Sequence, residues 1–173
     1  DSNAAFCMNY NYSNRGKIMA YTIEQRLNEI GICLPEPATP AANYVPFVTV
    51  GKMVFISGQI TFLDGELQYI GKVGDTLSTE DGYKAARICA INLIAQVKSA
   101  CAGNLERVKQ VVKLGGFVNC TSDFIDQPLV INGASDLIAE VFEKNGKHAR
   151  FAVGVPSLPM GVAVEVDGIF EII

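Results

Sequence analysis

The 173-residue chain contains a single histidine, His148, and its five cysteines, Cys7, Cys33, Cys89, Cys101 and Cys120, form no C-x-x-C pair. A zinc centre needs several thiolate or imidazole ligands at short spacings, so no metal and no other cofactor is expected. An odd number of cysteines lying in apolar patterns reads as buried thiols rather than a disulfide framework, which points to a reducing, cytoplasmic setting. Basic residues are sparse as well: 14 Lys and Arg face 18 Asp and Glu, for a net charge of −4, and no basic run occurs. The electrostatic footprint of a nucleic-acid partner is missing. Apolar runs such as "MVFIS" and "FAVGV" stop far short of the ~20 residues that span a bilayer, so no membrane partner is expected. There is also no P-loop, no internal repeat and no low-complexity segment.

Hydrophobic residues make up 49% of the chain and charged ones 18%. At this length one domain is expected, on a prior of roughly 100–200 residues per domain. Its apolar surplus suggests burial against further copies of the chain. Residues 1–18, "DSNAAFCMNYNYSNRGKI", have no continuous apolar core. "SNA" resembles a cloning scar, so this stretch reads as a tag or non-native leader. Residues 19–173 then form the domain, with an N-terminal helix and proline-rich arm over 19–39 and the core over 40–173.

The pattern of elements follows from local chemistry. "TIEQRLNEIG" pairs Thr22 with Gln25 at capping-box spacing and ends at Gly31, which predicts a short helix. "YVPFVTV" and "KMVFISG" meet at Gly51-Lys52 and predict a hairpin, with Gly58 marking a bulge. "TFLDGELQYIG" reads as a loop with a tight Asp64-Gly65 turn. From about Ser78 to Ala102, apolar residues recur at spacings of three and four, predicting a long helix. "VKQVVKLGGFVN" is the next strand, with Gly115-Gly116 permitting a bend. "SDFIDQP" is a turn, "LVINGASDLIAEVFEKNG" a second helix, and "RFAVGV" and "VAVEVDGIFEI" the last strands. The economical assembly is an α+β layer pair, one sheet with both helices on one face.

The last two strands carry an unusual juxtaposition. Alternation puts Phe151, Val153 and Val155 on one side and Arg150, Ala152 and Gly154 on the other. In the final strand, Val162, Val164 and Val166 alternate with Ala163, Glu165 and Asp167. Taking the Val/Phe side as core, and "PSLPMG" as a simple reversal, sets Arg150 near Asp167 and diagonal to Glu165. Two readings stand open. One is a cross-strand surface ion pair; the other is a small-molecule site cleared by Ala152, Gly154 and Ala163. His148 reads as a solvated turn residue, and Ser57 has no histidine–acid pair that would make it a triad nucleophile.

"SGQI", N-G-A-S at the head of a helix, "ARFAV" followed by "LP", and "VEV" in the last strand together resemble the reactive intermediate deaminase (Rid) family, also called the YjgF or L-PSP endoribonuclease-like family. The similarity spans roughly residues 40–173. "HARFAVGVPSLP" and the extra N-terminal helix resemble a divergent branch. The resemblance implies a chorismate-mutase-like fold with a mixed sheet, a homotrimer with sites in clefts between subunits, and hydrolysis of 2-imino or enamine acids, such as 2-iminobutanoate and 2-iminopropanoate, to 2-keto acids and ammonia. On the same resemblance, Arg150 grips the substrate carboxylate and Glu165 positions the attacking water. Tyr44, Ser57, Gly58, Asn132 and the backbone at Ala152 line the substrate. Better-known members carry a cysteine where this chain has Ala152, so no thiol chemistry is open there. The competing functions are a trimer that binds a small carboxylate without turning it over or acts as a chaperone, and a ribonuclease or translation inhibitor.

Overall fold

The computed structural model describes residues 21–37 and 43–173. The reading of residues 1–18 as a leader falls outside the described residues. Helix α1 (Ile23–Glu29) opens with the expected capping box, Thr22 Oγ1 accepting from the Gln25 backbone at 3.1 Å and Gln25 Oε1 from the Thr22 backbone at 2.9 Å. Its buried Ile23 and Leu27 dock it on the second layer. Lys98–Glu24 at 2.8 Å and Arg26–Glu143 at 3.3 Å flank the contact.

Strands β1 (Phe47–Val50) and β2 (Met53–Gln59) form the predicted hairpin, with Val50 opposite Met53. Gly51 takes the positive φ of 60° that this tight turn requires. The register of β2 shifts between Ile56 and Gln59, so the bulge falls at Gly58 as read. Beyond it, β3 (Phe62–Leu63) and β4 (Glu66–Leu67) make a small hairpin across Asp64-Gly65. That segment is therefore not the plain loop expected, because an Asp-Gly turn suits two-residue connections.

Helix α2 (Thr79–Ala100) starts on a second capping box, Ser78 with Asp81. Strand β5 (Val108–Asn119), helix α3 (Gln127–Phe142), strand β6 (Ala149–Val155) and strand β7 (Val164–Ile172) follow. The five-stranded sheet has the order β1-β2-β7-β5-β6. It is mixed: β5 and β6 run parallel, while the other neighbours are antiparallel. Both long helices cover one face, over a core containing Val54, Leu93, Leu114, Ile131, Leu137 and Phe170. The α+β layer pair is thus as expected.

Three expectations change. Strand β5 lies between β6 and β7, so "PSLPMG" crosses over a strand instead of making a simple reversal. The glycines of β5 also do not bend it, since the irregularities of that strand fall at Val108–Lys113. They allow close approach: a Cβ on Gly116 would come within 2.6–2.8 Å of Ile131 on α3, and one on Gly115 within 2.6 Å of the Phe151 ring. Finally, α3 begins at Gln127 with Pro128 in its first turn, a position where proline costs no hydrogen bond. Asn132 therefore stands inside the helix and not at its head.

Among the described residues, nothing covers the other face of the sheet. Val48, Val50, Phe55 and Val153 are exposed there, beside the edge-to-face pair Phe117–Phe151 with centroids 5.3 Å apart. Among the described residues Cys89, Cys101 and Cys120 are buried thiols, and Cys33 is exposed rather than buried.

The two helices also meet closely. A Cβ on Gly133 would sit 1.9 Å from the Tyr83 carbonyl oxygen of α2. Gly133→Ala should destabilise the fold by about 1–3 kcal/mol through forced separation of the helices. It should appear as a lower urea midpoint at unchanged slope.

Candidate functional site

Glu165 is the second residue of β7, on the uncovered face, paired through the backbone with Phe117. The β2 bulge makes room for it: a Cβ on Gly58 would fall 2.1 Å from Glu165 Oε1 and 2.9 Å from Cδ. The carboxylate occupies the space that a Cβ at residue 58 would need, so any other residue there would displace it. Beside it opens a cleft of ≈ 740 Å³ lined by Tyr44, Ser57, Gly58, Phe62, Met160 and Glu165, among others. Four of the seven residues singled out in the sequence thus meet in one place.

The cleft wall is built by polar side chains that tie loops down. Ser57 Oγ donates to the Val45 carbonyl at 2.8 Å. Asn92 of α2 donates to the carbonyls of Ile60 and Phe62 at 3.0 and 2.9 Å. Sequence reasoning misses Asn92; its signal is a pair of amides, Asn92 and Gln96, four residues apart on a largely apolar helix face, and both line the cleft. Burial raises the Glu165 carboxyl above its ordinary value, and the Asp167 charge on the same face adds to that. Asp167 is raised too, chiefly by burial, against a lowering from the Gly115 backbone and Lys113.

Arg150 is elsewhere. It pairs in register with Leu114 of β5, which in turn faces Gly168 of β7. That row is the helix-covered side of the sheet. Its guanidinium turns to α3, where Nη1 donates to Asn132 Oδ1 at 2.9 Å and Ser135 Oγ at 3.0 Å, and Nη2 to the Pro128 carbonyl at 3.2 Å. Every one of these acceptors is neutral. None of the ion pairs among the described residues involves Arg150.

A family model described as "YjgF/chorismate mutase-like, putative endoribonuclease" matches residues 24–171. The chain belongs to this family. Protein TCP17 of Trypanosoma cruzi is 46% identical over 151 residues, covering 87% of this chain and 94% of TCP17. The crystal structure of Atu1372 from Agrobacterium tumefaciens is 46% identical, with 87% of this chain and 92% of that one covered and a TM-score of 0.83. The structure of E. coli TdcF with bound serine, at 22% identity, 79% and 93% coverage and a TM-score of 0.56, shares the fold.

Within this YjgF-like frame the expected Arg150–Glu165 neighbourhood fails in the single chain. Glu165 and Asp167 align with Phe117 and Gly115, and through them with Val153 and Phe151. The side chains of Phe151 and Val153 therefore belong to the uncovered face, and Arg150, Ala152 and Gly154 to the helix side. The assignment of β7 holds, with Val164 and Val166 buried, while that of β6 inverts, because β6 carries apolar residues on both sides and alternation alone cannot say which one is core. The Arg150–Asp167 ion pair is excluded for the same reason. Ala152 packs against the main core, opposite Gly116. His148 is no solvated turn residue, since its ring nitrogens bond Ser135 Oγ at 2.9 Å and the Gly146 carbonyl at 2.6 Å. Ser135 went unforeseen as well, though Asn132 and Ser135 are polar at i, i+3 on an apolar helix. Among the described residues no group of three potential ligands could hold a metal ion, and no helix is long and apolar enough to cross a membrane.

The raised Glu165 value has a thermodynamic signature. The native state keeps that proton more tightly than the unfolded chain, so wild-type stability falls as pH rises through the window between the ordinary carboxylate value and the raised one. Glu165→Gln removes this term. The difference in melting temperature, variant minus wild type, should increase as pH rises through that window in a pH 4–8 series. A flat difference would mean that Glu165 titrates normally.

Proposed function

We propose that this protein hydrolyses reactive 2-imino acids and their enamine tautomers to 2-keto acids and ammonia, in sites completed between copies of the chain in a homotrimer. The observation that carries the reading is the neutral shell around Arg150. A half-buried guanidinium bonded, among the described residues, to an amide, a hydroxyl and a carbonyl meets no opposite charge there and is open to an anion. Its planar fork suits a carboxylate held bidentately.

The second half of the chemistry resides in the Tyr44–Ser57–Gly58–Glu165 cleft. With the substrate carboxylate fixed on Arg150, the imine carbon is presented to a water beside Glu165. A carboxylate whose affinity for protons is increased by burial is a better base than a solvated one. It takes a proton as the water oxygen bonds to the imine carbon, giving a tetrahedral amino alcohol. That proton passes to the nitrogen; Glu165 then takes the hydroxyl proton and delivers it to the nitrogen as well, so that ammonia leaves with the C–N bonding pair and the carbonyl of the 2-keto acid forms. Atoms balance as imine plus water to ketone plus ammonia, with no redox change. Tyr44, Ser57 and Gly58 wall the substrate, Asn132 holds the fork, and the backbone at Ala152 flanks the carboxylate.

Two copies are needed because Arg150 and Glu165 lie on opposite faces of one sheet, with β5 between their strands. One copy supplies the Arg150–Asn132 side and its neighbour the Glu165 cleft. The same assembly would cover the apolar face carrying Phe55 and Val153. Ribonuclease action has less support, since a chain of net charge −4 lacks the basic surface that a phosphodiester backbone selects.

Imine generated by a threonine dehydratase should decay faster with the wild type, and Arg150→Ala or Glu165→Gln alone should abolish the acceleration. Refolding the two inactive variants together at equal amounts should return about a quarter of wild-type activity, the statistical share of sites with both residues intact. No recovery in mixed trimers would place the whole site in one chain. A carboxylate that raises the melting temperature yet leaves the imine lifetime unchanged would mark a binding protein instead.

A further inference from the structure

We infer that Ser135 and His148 are positioning residues that set the direction of the Arg150 fork, so that carboxylate affinity depends on a hydrogen-bond chain running back to Gly146. The inference rests on the proposed role of Arg150 as the carboxylate anchor.

The chain is fixed by counting donors and acceptors from its buried end. Gly146 is buried, and a Cβ there would lie 2.5 Å from the Ile138 carbonyl oxygen and 3.0 Å from Ala139 Cα. Its backbone is thus pressed against α3, and its own carbonyl has little freedom. That carbonyl meets His148 Nδ1 at 2.6 Å. A carbonyl oxygen only accepts, so Nδ1 carries the proton, and in the neutral ring Nε2 is then an acceptor. Ser135 Oγ lies 2.9 Å from Nε2 and donates its single proton there. Its lone pairs are left for Arg150 Nη1, 3.0 Å away.

Each link dictates the next. Without His148, the Ser135 hydroxyl is free to rotate, and the nearest alternative for a helical serine is a carbonyl one turn back. Without Ser135, Nη1 keeps only Asn132 at 2.9 Å, and the fork can swing about that contact and the Pro128 carbonyl. The guanidinium stays charged in either case; what is lost is its aim. A carboxylate bound by two parallel N–H bonds is sensitive to that aim, because misalignment forfeits one of the two bonds. The effect belongs to ground-state binding and transition-state binding alike, so it falls on KM and leaves kcat nearly alone.

The arrangement is also unlike a serine nucleophile. The Ser135 oxygen that would attack is occupied by Arg150, and the residue sits within α3 and not at an exposed turn.

The experiment measures binding of 2-oxobutanoate by calorimetry and imine turnover, for wild type, Ser135→Ala, His148→Ala, the double variant, Ser135→Thr and His148→Gln. Melting temperatures report folding. Ser135→Ala should weaken binding and raise KM about tenfold, the scale of one hydrogen bond to a charged group. Ser135→Thr should restore both, and His148→Gln, which keeps an acceptor for the hydroxyl, should exceed His148→Ala. The decisive comparison is the double variant, which should bind no worse than Ser135→Ala, because His148 acts only through the hydroxyl. Additive losses, or single variants that lower kcat and melting temperature while KM stays put, would overturn the inference. If the wild type neither binds the keto acid nor turns over imine, the Arg150 anchor itself fails. If it does both and the variants match it, the chain alone fails.

Discussion

Close approach of α3 to its neighbours is the constraint on which the rest of this molecule depends. Gly116 lets the helix settle on β5, and Gly133 lets it press against the Tyr83 carbonyl of α2. Only at that depth do Asn132 and Ser135 come within hydrogen-bond reach of Arg150 on the edge strand β6. The same economy of side-chain volume recurs at Gly58, where a missing Cβ seats the Glu165 carboxylate. Glycine here serves contact more than chain flexibility, since neither Gly58 nor Gly116 nor Gly133 has a positive φ.

The two clusters differ in their electrostatic logic. Around Arg150 a permanent charge is surrounded by dipoles and receives no counter-ion from the described residues. Around Glu165 a titratable charge is made reluctant by burial and by Asp167. A cation held by neutral groups and a carboxylate whose proton affinity is raised by burial are both poorly satisfied in isolation.

Much of the fold could be read from local chemistry. The capping box at Thr22, the helix start near Ser78, the Gly51-Lys52 turn and the bulge at Gly58 are all set by residues within a few positions of one another. What was not legible depends on pairing between distant segments. Nothing in "PSLPMG" says that it passes over β5, and an apolar strand such as "RFAVGV" offers either side to a core. The sheet therefore looked like one with Arg150 and Glu165 on a shared face, although the family pattern named both residues. His148 and Ser135 were invisible as a pair, because their contact joins the strand approach to a helix turn through folding alone.

An apolar face left open by one chain has a consequence for how the fold must be handled. Whatever covers Val48, Phe55 and Val153 binds the native sheet and has no equivalent target in the unfolded chain. Mass action then ties resistance to heat and denaturant to the amount of covering partner present. In the proposed homotrimer a melting temperature is a property of a solution at a stated concentration, and dilution is itself a denaturing condition.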